Sequence, residues 1–164
     1  MSIEIERKFL VKSSEFKKIS LEKIYIKQGF LNSDKRRVVR VRKQNDQGFL
    51  TIKGLSFDNG SSRYEWEKEI SINDIEPLLL LCEKQPIEKI RYLVKSGKHI
   101  IEVDEFLGVN NGLYLAEIEL SHKKEPFEKP SWLGKEVTGI KKYYNANLSK
   151  KPYKNWKKKA PKLN

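Results

Sequence analysis

The sequence predicts a mainly β protein, a closed eight-stranded antiparallel barrel with short flanking helices. Three observations carry that expectation. Eight segments alternate apolar and polar residues with period two, several intervening stretches have hairpin chemistry, and the helical candidates are few and short. Eight strands in one small domain favour a barrel, because closure removes exposed strand edges.

The strands are expected near 3–11, 24–31, 37–43, 48–54, 64–72, 88–95, 98–107 and 113–121. "NDQG" at 45–48, "DNGSS" at 58–62, "SGK" at 96–98 and "NNG" at 110–112 supply turns, so much of the pairing should be antiparallel. "NDIEPLLLLCEK", from Asn73, has a capping residue, acids near its start and a leucine-rich body, which predicts a helix. "SSEFKKIS" at 13–20 and "IKKYYNANL" at 140–148 are further short helical candidates. There is no internal repeat and no dividing linker. The expected organisation is one domain over residues 1–149 followed by a basic C-terminal tail, 150–164.

Composition narrows the function classes. The 164 residues are 34% charged, and no apolar run approaches a membrane-spanning length. The opening "MSIEIERK" lacks the apolar region of a secretory signal, so a cytoplasmic location and no membrane partner are expected. Cys82 is the only cysteine, which rules out an intrachain disulfide and reads as a small buried hydrophobe. His99 and His122 fall far short of a zinc site, and neither accompanies a recognisable nucleophile motif. The net charge of +12 implies an anionic partner or substrate. Seven of the lysines, with no acid, fall in residues 150–164, leaving about +5 for the body.

The first strand raises the chemical question. Alternation sets Glu4, Glu6 and Lys8 on one face and Ile3, Ile5 and Phe9 on the other. Residues two apart on a strand are about 6.6 Å apart, close enough for like charges to repel away from bulk water. Five other strands repeat the device: Arg40 with Arg42, Glu65 with Glu67 and Glu69, Lys89 with Arg91, Glu102 with Asp104, and Glu117 with Glu119. Lys53 shares a face with Thr51. One such strand is an ordinary solvated face. A merely soluble surface, however, mixes signs, because opposite charges across strands stabilise and like charges cost energy. Here the signs are segregated by strand. Carboxylates in number suit hard divalent cations, and Arg and Lys suit phosphate oxygens. Together they describe a site for a metal-chelated polyphosphate.

These residues resemble a known family. "EIERK" at 4–8 matches the E-x-E-x-K motif of the CYTH superfamily, the triphosphate tunnel metalloenzymes. "QGFL" at 28–31, "RVR" at 40–42, "TIK" at 51–53, "EWE" at 65–67, "EKIRY" at 88–92, "EVDEF" at 102–106, "EIEL" at 117–120, "WLGKEVT" at 132–138 and "YYNANL" at 143–148 follow in the family's order. The short charged motif alone is weak, but the ordered set is strong.

The resemblance implies an eight-stranded antiparallel barrel whose charged interior is a tunnel binding triphosphate with Mg2+ or Mn2+. It implies Glu4, Glu6, Glu117 and Glu119 as metal ligands, with Glu65, Glu67 and Asp104 as additions. Lys8, Arg40, Arg42, Lys53, Lys89 and Arg91 would bind phosphate, and Glu4, Glu6, Lys8 and Lys89 would serve catalysis. After "VTG", relatives commonly carry Asp and then Arg, whereas this chain has Ile140 and, two places on, Lys142. Lysine keeps the charge without the bidentate geometry, and Lys142 is a further phosphate-binding candidate.

The activity the resemblance favours is metal-dependent hydrolysis of inorganic tripolyphosphate to pyrophosphate and phosphate. A thiamine, nucleoside or RNA 5′-triphosphatase and an adenylate cyclase are alternatives, although no pocket for a base or thiazolium is legible. A different class would be a non-catalytic binder of polyphosphate or nucleic acid, with Tyr153 and Trp156 stacking among the tail lysines. The strand carboxylates argue against nucleic acid as a partner. The sequence leaves a homodimer open.

Overall fold

The computed structural model of the chain describes residues 2–156. Nine strands form a single antiparallel sheet: β1 (Ser2–Val11), β2 (Glu22–Asn32), β3 (Arg37–Gln44), β4 (Gln47–Gly54), β5 (Ser62–Ile70), β6 (Ile87–Ser96), β7 (His99–Phe106), β8 (Tyr114–Glu119) and β9 (Leu133–Glu136). Their order is β5-β4-β3-β2-β6-β7-β8-β1-β9, and β5 also pairs with β1, which closes the first eight into a barrel. The closing seam is short, running from Ser2↔Glu65 to Ile5↔Ser62. Beyond it β9 takes over that edge of β1, with Phe9 opposite Glu136 and Val11 opposite Leu133.

The turns follow their chemistry. Asn45 takes φ +52° in the two-residue turn between β3 and β4, and Gly97 takes φ +59° between β6 and β7. These are left-handed positions that asparagine and glycine tolerate best.

Three short α-helices flank the barrel: α1 (Phe16–Ile19), α2 (Ile72–Leu80) and α3 (Asn145–Lys150). The sequence reading placed the cap of the second helix at Asn73 and ran the fifth strand to residue 72. In the structure β5 ends at Ile70 and Ser71 is the cap, its hydroxyl accepting the Asn73 N–H. The expected helix over 140–148 divides into a 3-10 turn, Lys141–Tyr143, and α3. No segment was expected for β9, whose four residues, "LGKE", are too few to show a period.

The apolar residues lie outside the charged interior or at one end of it. On the outer face of β6, β7, β8 and β1, Tyr92, Val94, Val103, Ile118 and Phe9 pack with Phe16 of α1 and with Trp132 and Leu133. On the outer face of β3, Val41 packs with Ile75 and Leu79 of α2, and the half-buried Cys82 sits at the margin. A third cluster fills one end of the barrel, where Leu10, Phe30, Phe106 and Leu115 meet Tyr143, Leu148 and Tyr153 of the C-terminal segment. At roughly 1.5–3 kcal/mol for each large apolar side chain taken out of water, these clusters hold the barrel around its charged interior.

Two aromatic residues of the stretch expected as a tail from residue 150 belong to the cluster at the barrel end. Tyr153 is only 4% exposed, and its ring meets Trp156 edge-on at 5.0 Å. Tyr153 and Trp156 pack on the barrel, so the Tyr153 ring is spent on the core and is not free to stack on a base. The lysine-rich remainder, 157–164, lies outside the described residues. Among the described residues no helix is long and apolar enough to cross a membrane.

Candidate active site in the barrel

Register decides what the charged faces meet. Opposed residues in an antiparallel pair share a face, so the pairs Lys8↔Glu117, Glu6↔Glu119, Arg91↔Asp104, Glu102↔Glu117 and Lys53↔Glu65 all point to the barrel interior. A cavity of about 430 Å3 occupies that interior. Eight residues expected from the sequence line it: Glu4, Glu6, Lys8, Arg40, Lys53, Lys89, Arg91 and Glu117.

The other expected residues stand off the cavity. Glu65 pairs with Lys53 at 3.0 Å, and Glu67 accepts a hydrogen bond from Thr51 at 2.6 Å and lies 3.4 Å from Arg40. Arg42 lies over the Phe49 ring, 3.7 Å from Glu67. Asp104, 1% exposed, spends both oxygens on Arg91, at 2.7 and 2.9 Å, and also takes Lys89 at 2.8 Å. Glu119 is exposed on its strand. Lys142 also stands apart: its ammonium sits 4.8 Å from the Trp156 ring centre and outside the cavity, whereas its neighbour Lys141 lines it. The 3-10 turn there breaks the strand alternation from which a side could have been read.

Lys35, Arg63, Thr138, Tyr144 and Asn145 also line the cavity, and the sequence reading missed them. Arg63 was legible, because it lies two places before Glu65 on β5 and so shares its face; it approaches Glu4 at 3.6 Å. Lys35, Thr138 and Tyr144 come from loops and Asn145 opens α3, so none has a period-two signal, although Thr138, Tyr144 and Asn145 fall inside the family landmarks at 132–138 and 143–148. Glycines let these loops meet at the cavity wall. Gly60 has φ +90° and Gly139 has φ +77°, and a Cβ on Gly139 would stand 2.3 Å from the Asn59 carbonyl oxygen.

The electrostatics of the site are uneven. Burial, and then the carboxylates of Glu117 and Glu4, push Glu6 well above the usual carboxylate range. Burial acts the same way on Glu117, but Lys8, a hydrogen bond shared with Glu6, Arg91 and Lys89 hold it well below that range. Glu4 is lowered despite its burial, by Lys53 and then Arg63. On the cationic side, burial brings Lys89 down to about 8. Burial also lowers Arg40 and Arg42, each with a neighbouring guanidinium adding to the effect. The Nε atoms of both arginines are buried without a hydrogen-bond partner among the described residues. Unpaired donors in a buried cationic cluster are costly, and an anion removes that cost.

The donor set for a metal is oxygen only. Glu4, Glu6 and Glu117 have no histidine or thiol beside them in the cavity, which suits a hard divalent cation. Among the described residues no three acidic, histidine or cysteine side chains already enclose an ion.

A family model described as the CYTH domain matches residues 2–153. An inorganic triphosphatase of Acetivibrio thermocellus is 48% identical over 158 residues, covering 96% of this chain and 99% of that protein. A second inorganic triphosphatase, from Nitrosomonas europaea, is 35% identical over 153 residues, covering 89% and 96%. A crystal structure of an inorganic triphosphatase superposes with a TM-score of 0.64 at 32% identity, covering 91% of this chain and 95% of that one. The match runs from the first charged strand to the C-terminal segment that closes the barrel end, and on that extent the chain belongs to the CYTH domain family.

Proposed function

We propose that the protein is a metal-dependent inorganic triphosphatase that cleaves tripolyphosphate into pyrophosphate and phosphate. The observation that carries the reading is one cavity lined by both signs of charge, with Arg40 Nε unpartnered among the described residues on its cationic side and Glu6 crowded by carboxylates on its acidic side. Arg40, Lys53, Lys89 and Arg91 offer buried donors, with Arg40 Nε unpartnered, and Glu4, Glu6 and Glu117 crowd carboxylates beside them. A phosphate chain and a divalent cation satisfy both at once. Two near full-length relatives named inorganic triphosphatases support it.

The chain's own residues divide the work. Arg40, Arg91 and Lys53 bind the oxygens of the triphosphate and hold it along the wall, so the terminal phosphorus is presented in one direction. Lys8 and Lys89 are donors to oxygens that gain charge as the bridging P–O bond lengthens. Water supplies the attacking oxygen and the bridging P–O bond breaks, leaving pyrophosphate. Glu117, held anionic, is the acceptor placed to orient that water. Glu4 and Glu6 would hold Mg2+ or Mn2+, which when bound neutralises the phosphate oxygens and makes attack on the terminal phosphorus electrostatically accessible.

One observation favours a second substrate. Phe30, Val38, Leu55 and Tyr144 also line the cavity, an apolar section that the sequence reading did not find and that could receive the base of a nucleoside triphosphate. Phosphate release from tripolyphosphate, ATP and thiamine triphosphate, each with Mg2+, Mn2+ or chelator, separates these readings. The expected result is metal-dependent release that is fastest from tripolyphosphate. Absence of metal-dependent release from all three overturns the enzyme.

A further inference from the structure

We infer that Asn145 is a positioning residue for Lys89: its side-chain oxygen and Asp104 together fix the ammonium so that one N–H faces the cavity and a phosphate oxygen. The inference rests on the triphosphatase reading. Lys89 is 2% exposed and lines the cavity, and its ammonium has three N–H donors and no acceptor. The ammonium forms an ion pair with Asp104 Oδ2 at 2.8 Å and donates to Asn145 Oδ1 at 3.1 Å. A tetrahedral ammonium tethered at one point can still rotate. Two acceptors define the direction of the third N–H.

The amide orientation follows from the same contacts. Because Lys89 can only donate, Asn145 must present its oxygen and not its NH2 group. That oxygen also accepts from Gln28 Nε2 at 2.9 Å. Gln28 is fully buried, and its own Oε1 has no partner among the described residues. The glutamine is a prop: it turns its donor to Asn145 and leaves its acceptor unpaired, an arrangement that costs stability unless the Asn145 oxygen is needed where it stands.

Asn145 reaches the cavity from outside the barrel wall, as the first residue of α3. Just before it, the Tyr143 carbonyl accepts from Lys8 Nζ at 3.3 Å. The buried side chains of Tyr143 and Leu148 anchor the segment between and around these contacts. The C-terminal segment thus carries acceptors for two cavity lysines, in addition to sealing the barrel end.

The test is a double-mutant cycle on the full chain with tripolyphosphate and Mg2+. Asn145→Ala is expected to lower kcat at least tenfold while KM changes less than threefold. In a Lys89→Met background the same substitution should change kcat less than twofold, because there is no ammonium left to position. Asn145→Asp, which keeps an acceptor oxygen there, should hold kcat within threefold of the parent and raise KM by repelling the anion. An equal loss from Asn145→Ala in both backgrounds, or no loss in either, overturns the inference, as does a kcat for Asn145→Asp as low as for Asn145→Ala. If the parent chain releases no phosphate, the proposed function fails separately. The cycle is then read from tripolyphosphate affinity by calorimetry, where additive effects overturn the positioning role.

Discussion

Two walls of the same barrel use the same device to opposite ends. On β6 and β7, cations face acids across the pairing: Arg91 lies opposite Asp104 and is held bidentately, and Lys89 takes the same carboxylate. On β1 and β8, Glu6 lies opposite Glu119, and Glu117 lies between Lys8 on one side and Glu102 on the other. Charge on the first wall is settled within the protein. On the second it is not, and burial together with Glu117 and Glu4 drives Glu6 toward its protonated form. Both walls face the same cavity, and their cross-strand neighbours decide whether a charge arrives there already neutralised or still open.

The largest expected effect is on the open wall. Glu6→Gln should lower metal-dependent phosphate release by about 100-fold or more, the scale of removing a group that acts on developing charge. Its thermal midpoint in chelator should match or exceed that of the parent, because the amide resembles the protonated acid. Near-parental turnover would remove Glu6 from the site and break the comparison.

Asp104→Asn should do the reverse, acting first on folding. It leaves Lys89 and Arg91 buried without their carboxylate, at a cost of roughly 3–5 kcal/mol. In a chain of this length that is a fall of about 10 °C or more in thermal midpoint. A loss of less than about 1 kcal/mol in a denaturant titration would show that charge on this wall is not settled within the protein.

The walls should also differ with pH. Glu6 has a folded-state pKa raised above its ordinary 4.5, so its contribution is present below 4.5 and is lost as pH rises through the raised value. On the first wall burial raises Asp104, but Arg91 and Lys89 hold it below its ordinary 3.8, so its contribution is present above 3.8 and is lost as pH falls through the depressed value. Denaturant stability in chelator, followed upward from pH 4.5, should decline in the parent and decline less in Glu6→Gln. Identical profiles would refute the crowding.

The smallest effect lies at the rim of the settled wall. Glu102, with its side chain 38% exposed, pairs with Arg91 at 3.0 Å, but Asp104 already holds that guanidinium. Glu102→Gln should cost less than about 1 kcal/mol. A cost comparable to that of Asp104→Asn would mean the neutralised wall extends to the solvent edge.

How much of this was legible depends on periodicity. Period-two alternation placed Glu4, Glu6, Lys8, Lys53 and Arg91 on interior faces, and extending the same count two places back from Glu65 reaches Arg63. Lys142 was named from the family's pattern after "VTG" and not from that count, and in the turn after Gly139 it is Lys141 that lines the cavity. Tyr153 and Trp156 looked like a solvated tail because a lysine-rich context hides apolar residues whose partners, such as Leu10 and Leu113, are far away in sequence. β9 is held by a close approach, since a Cβ on Gly134 would stand 2.9 Å from the Leu10 carbonyl oxygen, and no local pattern encodes such a contact.

By itself the sequence determined the eight barrel strands, the turns between several of them, the charges carried on their faces and the family to which the chain belongs. These are local properties, set by the two-residue repeat of an extended backbone and by the conformations that asparagine and glycine allow. Only the tertiary structure decided which charges are neutralised and which stand open, because that depends on register between strands as distant as β1 and β8. It also decided that Asn145, an uncharged residue inside the "YYNANL" landmark, stands against Lys89. The reason is the same in both cases: electrostatic and hydrogen-bonding energies follow distances of a few ångströms in space, and strand pairing and chain closure set those distances.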